Sequence, residues 1–208
     1  PRANPGWISF RPYSGGEVTG WGAHGLDQIQ WALGKDDTGP VKFWSDGPKF
    51  DAPTYEKPES RARGEKMCSQ PVVKYQYADG TVVEYGDGPH GGGVFYGEKG
   101  EITIDRGILS SNPKEIAAEA MEREGLKNSG WEDHMQNWFD CMRSREMPRA
   151  DVEIGHRSTT ICHLTNIARW LGRPLEWDPV KERFVGDDDA NTYLDRDRRK
   201  QYSLPEVG

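Results

Sequence analysis

The chain reads as a mixed domain in which antiparallel strand pairs and amphipathic helices occupy separate stretches. Two observations predict this. Val73, Tyr75 and Tyr77 alternate onto one face within residues 72–77, and Ala78-Asp79-Gly80 then leads into a second strand over 81–85, with Asp-Gly supplying the hairpin turn. Four further stretches carry helical signals of periodicity, capping or termination, the longest running from a capping Asp151 to Leu171. At 208 residues the chain is long enough for one domain of ordinary size with a buried core.

Residues 1–14 form an extended lead-in, because Pro1, Pro5 and Pro12 discourage helix while Trp7, Ile8 and Phe10 can dock. Residues 15–34 begin with Gly15-Gly16, pass a small-residue turn and enter a helix that stops at Gly34. Leu26, Ile29 and Leu33 make its apolar stripe. His24, Asp27, Gln28 and Trp31 fall at i, i+3, i+4 and i+7 and share another face. Val41 to Trp44 reads as a short strand, and residues 45–71 as a long proline- and charge-rich connection.

After the first hairpin, Gly93 to Tyr96 and Glu101 to Asp105 flank Gly97-Glu98-Lys99-Gly100 as a second, and Gly107-Ile108-Leu109 can add a strand. Asn112 as cap and Pro113 in the first turn start a short helix that runs to about Arg123. Ser129-Gly130-Trp131-Glu132 is a capping box, and Met135, Trp138, Phe139 and Met142 make the buried stripe of the helix it opens. Ile154, Ile161, Leu164, Ala168 and Leu171 form the core seam of the longest helix, which Gly172 and Pro174 end. Asp187-Asp188-Asp189 reads as a solvated acidic turn capping a short helix within a tail over 186–208.

Composition excludes several functions. A net charge of −7 argues against nucleic acid or an anionic membrane as the main partner. No apolar run approaches the length of a membrane-spanning helix, and no signal peptide is present. A soluble chain, cytoplasmic or exported, is the expectation. Because the sequence starts at Pro1 and not at methionine, it is expected to be a fragment from which a signal or a whole domain has been lost upstream. Eight tryptophans and eight tyrosines offset few aliphatics and suit sugar-facing surfaces as well as cores. Cys68, Cys141 and Cys162 form no CxxC pair, so neither a zinc site nor a disulfide framework is expected, and the latter two read as buried thiols.

The histidines divide. His24 lies among Gly20, Gly22 and Gly25, which leave room for a substrate or a cofactor ring to approach. The alternative is a buried imidazole bonded to a neighbour. His90 reads as a loop residue and His134 as structural. His156 and His163 are seven residues apart, about 10 Å along a helix axis. That is too far to share one metal without a third element; packing or capping is expected of them, with a cleft-lining role for one of them as the alternative. Gly91-Gly92-Gly93 lacks the spacing of a dinucleotide fingerprint, and a strand follows it.

Gly15-Gly16, a turn, and Trp21-Gly22-Ala23-His24-x-x-Asp27 resemble the glycine-rich histidine motif of the glucose–fructose oxidoreductase and inositol dehydrogenase family, Gfo/Idh/MocA. Ala150-Asp151, Gly155-His156-Arg157-Ser158, Leu171-Gly172-Arg173, Trp177-Asp178-Pro179 and Asp189-Ala190-Asn191 resemble the closing part of a bacterial branch of it. The resemblance spans nearly the whole chain in the family order. It implies a single C-terminal α+β domain over 1–208, an open, mostly antiparallel sheet with helices packed on one face. No Rossmann domain lies in this chain. NAD or NADP is expected on that absent N-terminal domain, and no metal is expected.

The implied activity is hydride transfer between the nicotinamide and a sugar, polyol or glycoside. His24 is the implied catalytic residue, exchanging the hydroxyl proton, and Asp27, Arg11, Tyr13 and Trp21 are the expected substrate contacts. A homo-oligomer through the sheet is expected. Two departures stand out. Many members carry an aspartate four residues before the histidine, where this chain has Gly20. Glu56-Lys57-Pro58 mimics the family's lysine motif but follows the histidine motif instead of preceding it, so Lys57 reads as a solvated lysine. A nicotinamide-dependent glycosidase of the same family and a non-enzymatic sugar-binding or scaffolding module are the other readings.

Overall fold

The structure, a computed structural model, describes residues 13–50, 71–86, 91–105, 107–124, 131–195 and 198–202. Arg11, Lys57, Cys68, His90 and Leu204 lie outside the described residues, as do Ser129 and Gly130 of the predicted capping box and most of the 45–71 connection. Helix α1 (Trp21–Ala32) is followed by strand β1 (Lys42–Asp46) and by the hairpin of β2 (Val72–Gln76) and β3 (Val82–Tyr85). Strands β4 (Gly93–Gly97), β5 (Gly100–Asp105) and β6 (Ile108–Asn112) form a meander. Helices α2 (Glu115–Glu124), α3 (Trp131–Ser144) and α4 (Val152–Leu171) come next. Strands β7 (Leu175–Asp178) and β8 (Arg183–Phe184) and the short α5 (Asp188–Asn191) close the fold.

The fold is α+β, and among the described residues every strand pair is antiparallel. The strands divide into a five-stranded sheet, β3-β2-β1-β7-β8, and a three-stranded sheet, β4-β5-β6. The chain returns after α4 to lay β7 beside β1, pairing Phe43 with Leu175. Neither β7 nor β8 was expected from the sequence. Leu175 and Trp177 alternate inward, but four residues closed by Pro179 give a weak period-two signal.

Phe43, Val73, Tyr75 and Tyr77 point from the large sheet into the core, where Ile161, Leu164, Ile167 and Ala168 of α4 cover them. The predicted hairpin turn is present, with Asp79 Oδ1 accepting from the Thr81 amide at 3.0 Å. Lys35 lies 2.6 Å from Asp79 and, as the first of several causes, holds that carboxyl down at about 2. This ties the end of α1 to the hairpin. On the other face of the sheet, Lys74 bridges Asp46 on β1 and Glu84 on β3 at 3.0 and 3.2 Å.

Helix α4 begins and ends as its sequence predicts. Asp151 Oδ1 accepts from the Glu153 amide at 2.9 Å, and Gly172 closes the helix at φ 63°. Two other expectations are corrected. Asn112 ends β6 and does not cap α2; Ser111 Oγ accepts from the Ala117 amide at 2.9 Å instead. The α3 stripe is not buried: Trp138, Phe139 and Met142 are exposed, because among the described residues no sheet or helix packs broadly over them.

Candidate functional site

The histidine motif is fastened at several points. Asn166 of α4, fully buried, donates from Nδ2 to the Gly15 carbonyl at 2.7 Å. The turn closes with the Thr19 and Gly20 amides donating to Gly16 O, each at 3.1 Å. Ser158 Oγ of α4 donates to Asp27 Oδ1 at 2.7 Å. Gln28 Nε2 donates to the Gly91 carbonyl. A side chain at Gly25 would bring a Cβ within 3.1 Å of Gly92 O, so glycine is what lets α1 lie this close to the strand ahead of β4. At the far end the buried Gln30 accepts from the Tyr77 hydroxyl and donates to Lys35 O and Thr38 O at 2.7 and 3.0 Å.

His24 is thereby presented on a fixed helix and is itself exposed. Its ring lies 5.9 Å from that of Trp21, which is also exposed. The alternative of a buried, bonded imidazole does not hold, and among the described residues no hydrogen bond engages the His24 ring. Asp27 is drawn toward α4 by Ser158.

Two carboxylates nearby were not singled out by the sequence. A Cβ at Gly20 would stand 3.8 Å from Glu17 Oε2, so Glu17 brings a carboxylate to the neighbourhood of the aspartate that this chain lacks. Asp36, in the turn after α1, has its pKa raised by burial first and then by the charges of Asp27 and Asp37. Both residues lie off the i, i+3, i+4 face of the helix, where periodicity gives no signal.

Tyr13 does not join this surface. The chain turns at Gly15-Gly16, and Tyr13 lines a separate cleft of about 790 Å³ with Ser14, His156, Thr160, His163, Trp170 and Trp177, among others. Neither His24, Trp21 nor Asp27 lines it. On a helix turning about 100° per residue, His156, Thr160, His163 and Ile167 share one face of α4, and Ser158, which holds Asp27, lies about half a turn away. His156 and His163 therefore both line a cleft, the alternative weighed for one of them and not the packing or capping expected. His156 Nε2 is 2.6 Å from Glu182 Oε1. The cleft wall desolvates the His163 imidazole and lowers its pKa.

Cys162 is buried as expected, its thiol pushed up to about 12 by burial. Among the described residues no group of three or more His, Cys, Asp or Glu side chains is arranged to hold a metal ion. No helix of the described residues is long and apolar enough to cross a membrane.

The family signature described as "Oxidoreductase family, C-terminal alpha/beta domain" matches residues 2–204. The chain belongs to the Gfo/Idh/MocA oxidoreductase family, as its C-terminal domain. A search of curated proteins finds no match to the chain. In this Gfo/Idh/MocA domain the Gly91–Gly93 run is taken up by packing. Gly91 O accepts from Gln28, and a Cβ on Gly92 would fall 1.9 Å from Ile104 O.

Proposed function

We propose that this chain is the substrate-side domain of a nicotinamide-dependent oxidoreductase acting on a sugar, polyol or glycoside. The observation that supports it most is the exposed His24 imidazole on a helix anchored by Asn166, Ser158 and Gln28. A group that must meet a substrate repeatedly in one geometry needs this combination of open ring and fixed backbone. The reading has His24 take or return the hydroxyl proton at an imidazole nitrogen. Imidazole suits that task because its ordinary pKa lies near neutrality. Glu17 supplies the nearby carboxylate. Asp27 orients the helix through Ser158 and offers its other oxygen to a substrate hydroxyl, while Trp21 adds an aromatic contact.

NAD or NADP supplies the hydride acceptor or donor when bound. On this reading the nicotinamide end of that cofactor meets the chain at the open Trp21–His24 face. The Gly91–Gly93 run is packed against α1 and β5 and leaves no cradle for its phosphates. The dinucleotide is therefore assigned to a separate N-terminal domain of the intact enzyme. Subunit pairing is assigned to the face of the five-stranded sheet opposite α4, where the Asp46–Lys74–Glu84 ladder lies and which no helix of the described residues covers broadly.

In the intact enzyme, His24→Ala should lower kcat by roughly 10²- to 10⁴-fold, the usual contribution of a positioned acid–base group. Dinucleotide affinity and far-UV circular dichroism should stay unchanged. Wild-type turnover in that variant overturns the assignment. Glu17→Gln should give a smaller loss and move the acid limb of the pH–rate profile.

A further inference from the structure

The cleft on the far face of α4 has the makings of a binding site that the His24 chemistry does not use. Its walls are apolar and aromatic. Leu164, Ile167 and Trp170 come from α4, and Trp177 and Tyr193 from the closing segment. Trp170 and Tyr193 lie with ring centroids 6.4 Å apart, and Trp177 meets Phe184 edge-on at 5.0 Å. The volume of about 790 Å³ falls within the usual range for small-molecule sites, roughly 300–1,000 Å³.

The charged groups on its lining already have partners. Glu182 Oε1 meets His156 Nε2 at 2.6 Å and Arg157 at 3.4 Å. Asp195 accepts from Arg198 at 2.8 Å. Desolvation favours the neutral form of His163. A free anion or cation entering the cleft would have to break one of these pairs. What the lining offers instead is groups that both donate and accept: the Thr160 hydroxyl, a neutral imidazole, and the Ser14 hydroxyl, which accepts from the Gly16 amide at 3.2 Å and keeps its own proton to donate. Sugar hydroxyls have the same dual character, and the C–H face of a sugar ring matches an aromatic wall. Glu182 also holds φ 51°, a left-handed conformation uncommon outside glycine. Strained residues of this kind collect at ligand sites.

We propose that this cleft binds a neutral saccharide, at a site separate from His24 and on the opposite face of α4. The proposal does not depend on His24 being catalytic.

The test is nuclear magnetic resonance of the 208-residue chain. The imidazole protons of His24, His156 and His163 are followed while D-glucose, D-galactose, D-mannose, N-acetyl-D-glucosamine and cellobiose are added, with adenosine as a neutral non-sugar control. The expected result is saturable movement of the His156 and His163 signals by at least one saccharide, in the millimolar range. In His24→Ala the same binding should persist. In Thr160→Trp, which fills the cleft, affinity should fall by about tenfold or more, a loss of roughly 1.4 kcal/mol. Wild-type shifts at His156 and His163 support the proposal even where Thr160→Trp fails to fold. A silent cleft across the whole panel overturns it. So does movement confined to His24, which would favour the oxidoreductase reading alone, or tighter binding of adenosine than of every sugar.

Discussion

Helix α4 lies across the five-stranded sheet with Ile161, Leu164 and Ile167 at most 2% exposed, whereas Trp138, Phe139 and Met142 of α3 keep 40–49% of their surface open. Both helices carry an apolar stripe at helical spacing. The difference lies in what each stripe meets. Helix α4 finds β1, β2 and α1, and it also supplies Asn166 and Ser158 to the histidine motif. Helix α3 finds no comparable cover among the described residues. The half of the domain that buries most is thus the half that fixes His24. Periodicity marks the apolar face of a helix, but whether a partner surface exists for it is decided elsewhere in the chain.

The largest expected contrast comes from truncating one aromatic in each half. Phe43→Ala should cost about 3–5 kcal/mol, because a fully buried ring leaves a cavity that cannot collapse. Phe139→Ala should stay within about 0.5 kcal/mol in this chain, as for surface positions generally. Urea unfolding of both variants measures the difference, and equal losses would mean that α3 is covered after all.

Next in size is Gly92→Ala, whose Cβ would fall on the Ile104 carbonyl. Strain of about 1–3 kcal/mol is expected, as for overpacked cores. Because Gly92 lies against α1 as well as β5, amide hydrogen exchange should quicken in both. Acceleration in the three-stranded sheet alone would show the two halves to be uncoupled.

Ser158→Ala should cost about 1 kcal/mol, one hydrogen bond to a carboxylate that water can still reach. In an Asp27→Ala background, where the acceptor is gone, the cost of Ser158→Ala should vanish if the pair is the whole effect.

The smallest effects are those of pH. His163 has a folded pKa below its ordinary 6.5 because of desolvation, so the unfolded chain binds the proton first. Stability should therefore fall as pH drops below about 6.5, and His163→Gln should flatten that limb. Asp187 runs through a lower window. Arg173 holds its carboxyl at about 2 against an ordinary 3.8, so its contribution is present above 3.8 and lost as pH falls through about 2. Thermal melts between pH 7 and 2 would separate the two limbs.

Much of the fold was legible where the signals are local. The Asp79-Gly80 hairpin, the inward trio Val73, Tyr75 and Tyr77, the Asp151 cap and the Gly172 stop depend on residues a few positions apart, and each formed as read. The α2 start misled because Asn112 and Ser111 are both able caps, and only the strand register assigns Asn112 to β6. The site was legible in part. The motif around His24 marked a turn entering a helix, and the open imidazole fits it. Glu17, Asp36 and the cleft were not legible, since none sits on a shared helical face with His24.

By itself the sequence determined most of the elements up to the end of α4, their apolar faces and the family order of its motifs, because capping, turn chemistry and periodicity act within a few residues. Only the tertiary structure decided that β7 inserts beside β1, that Ser158 and Asn166 hold the histidine motif from 131 and 151 residues away, and that His156 and His163 face a cleft. Those outcomes rest on contacts between distant segments. A side chain's neighbours across the core carry no periodic mark in its own stretch of sequence.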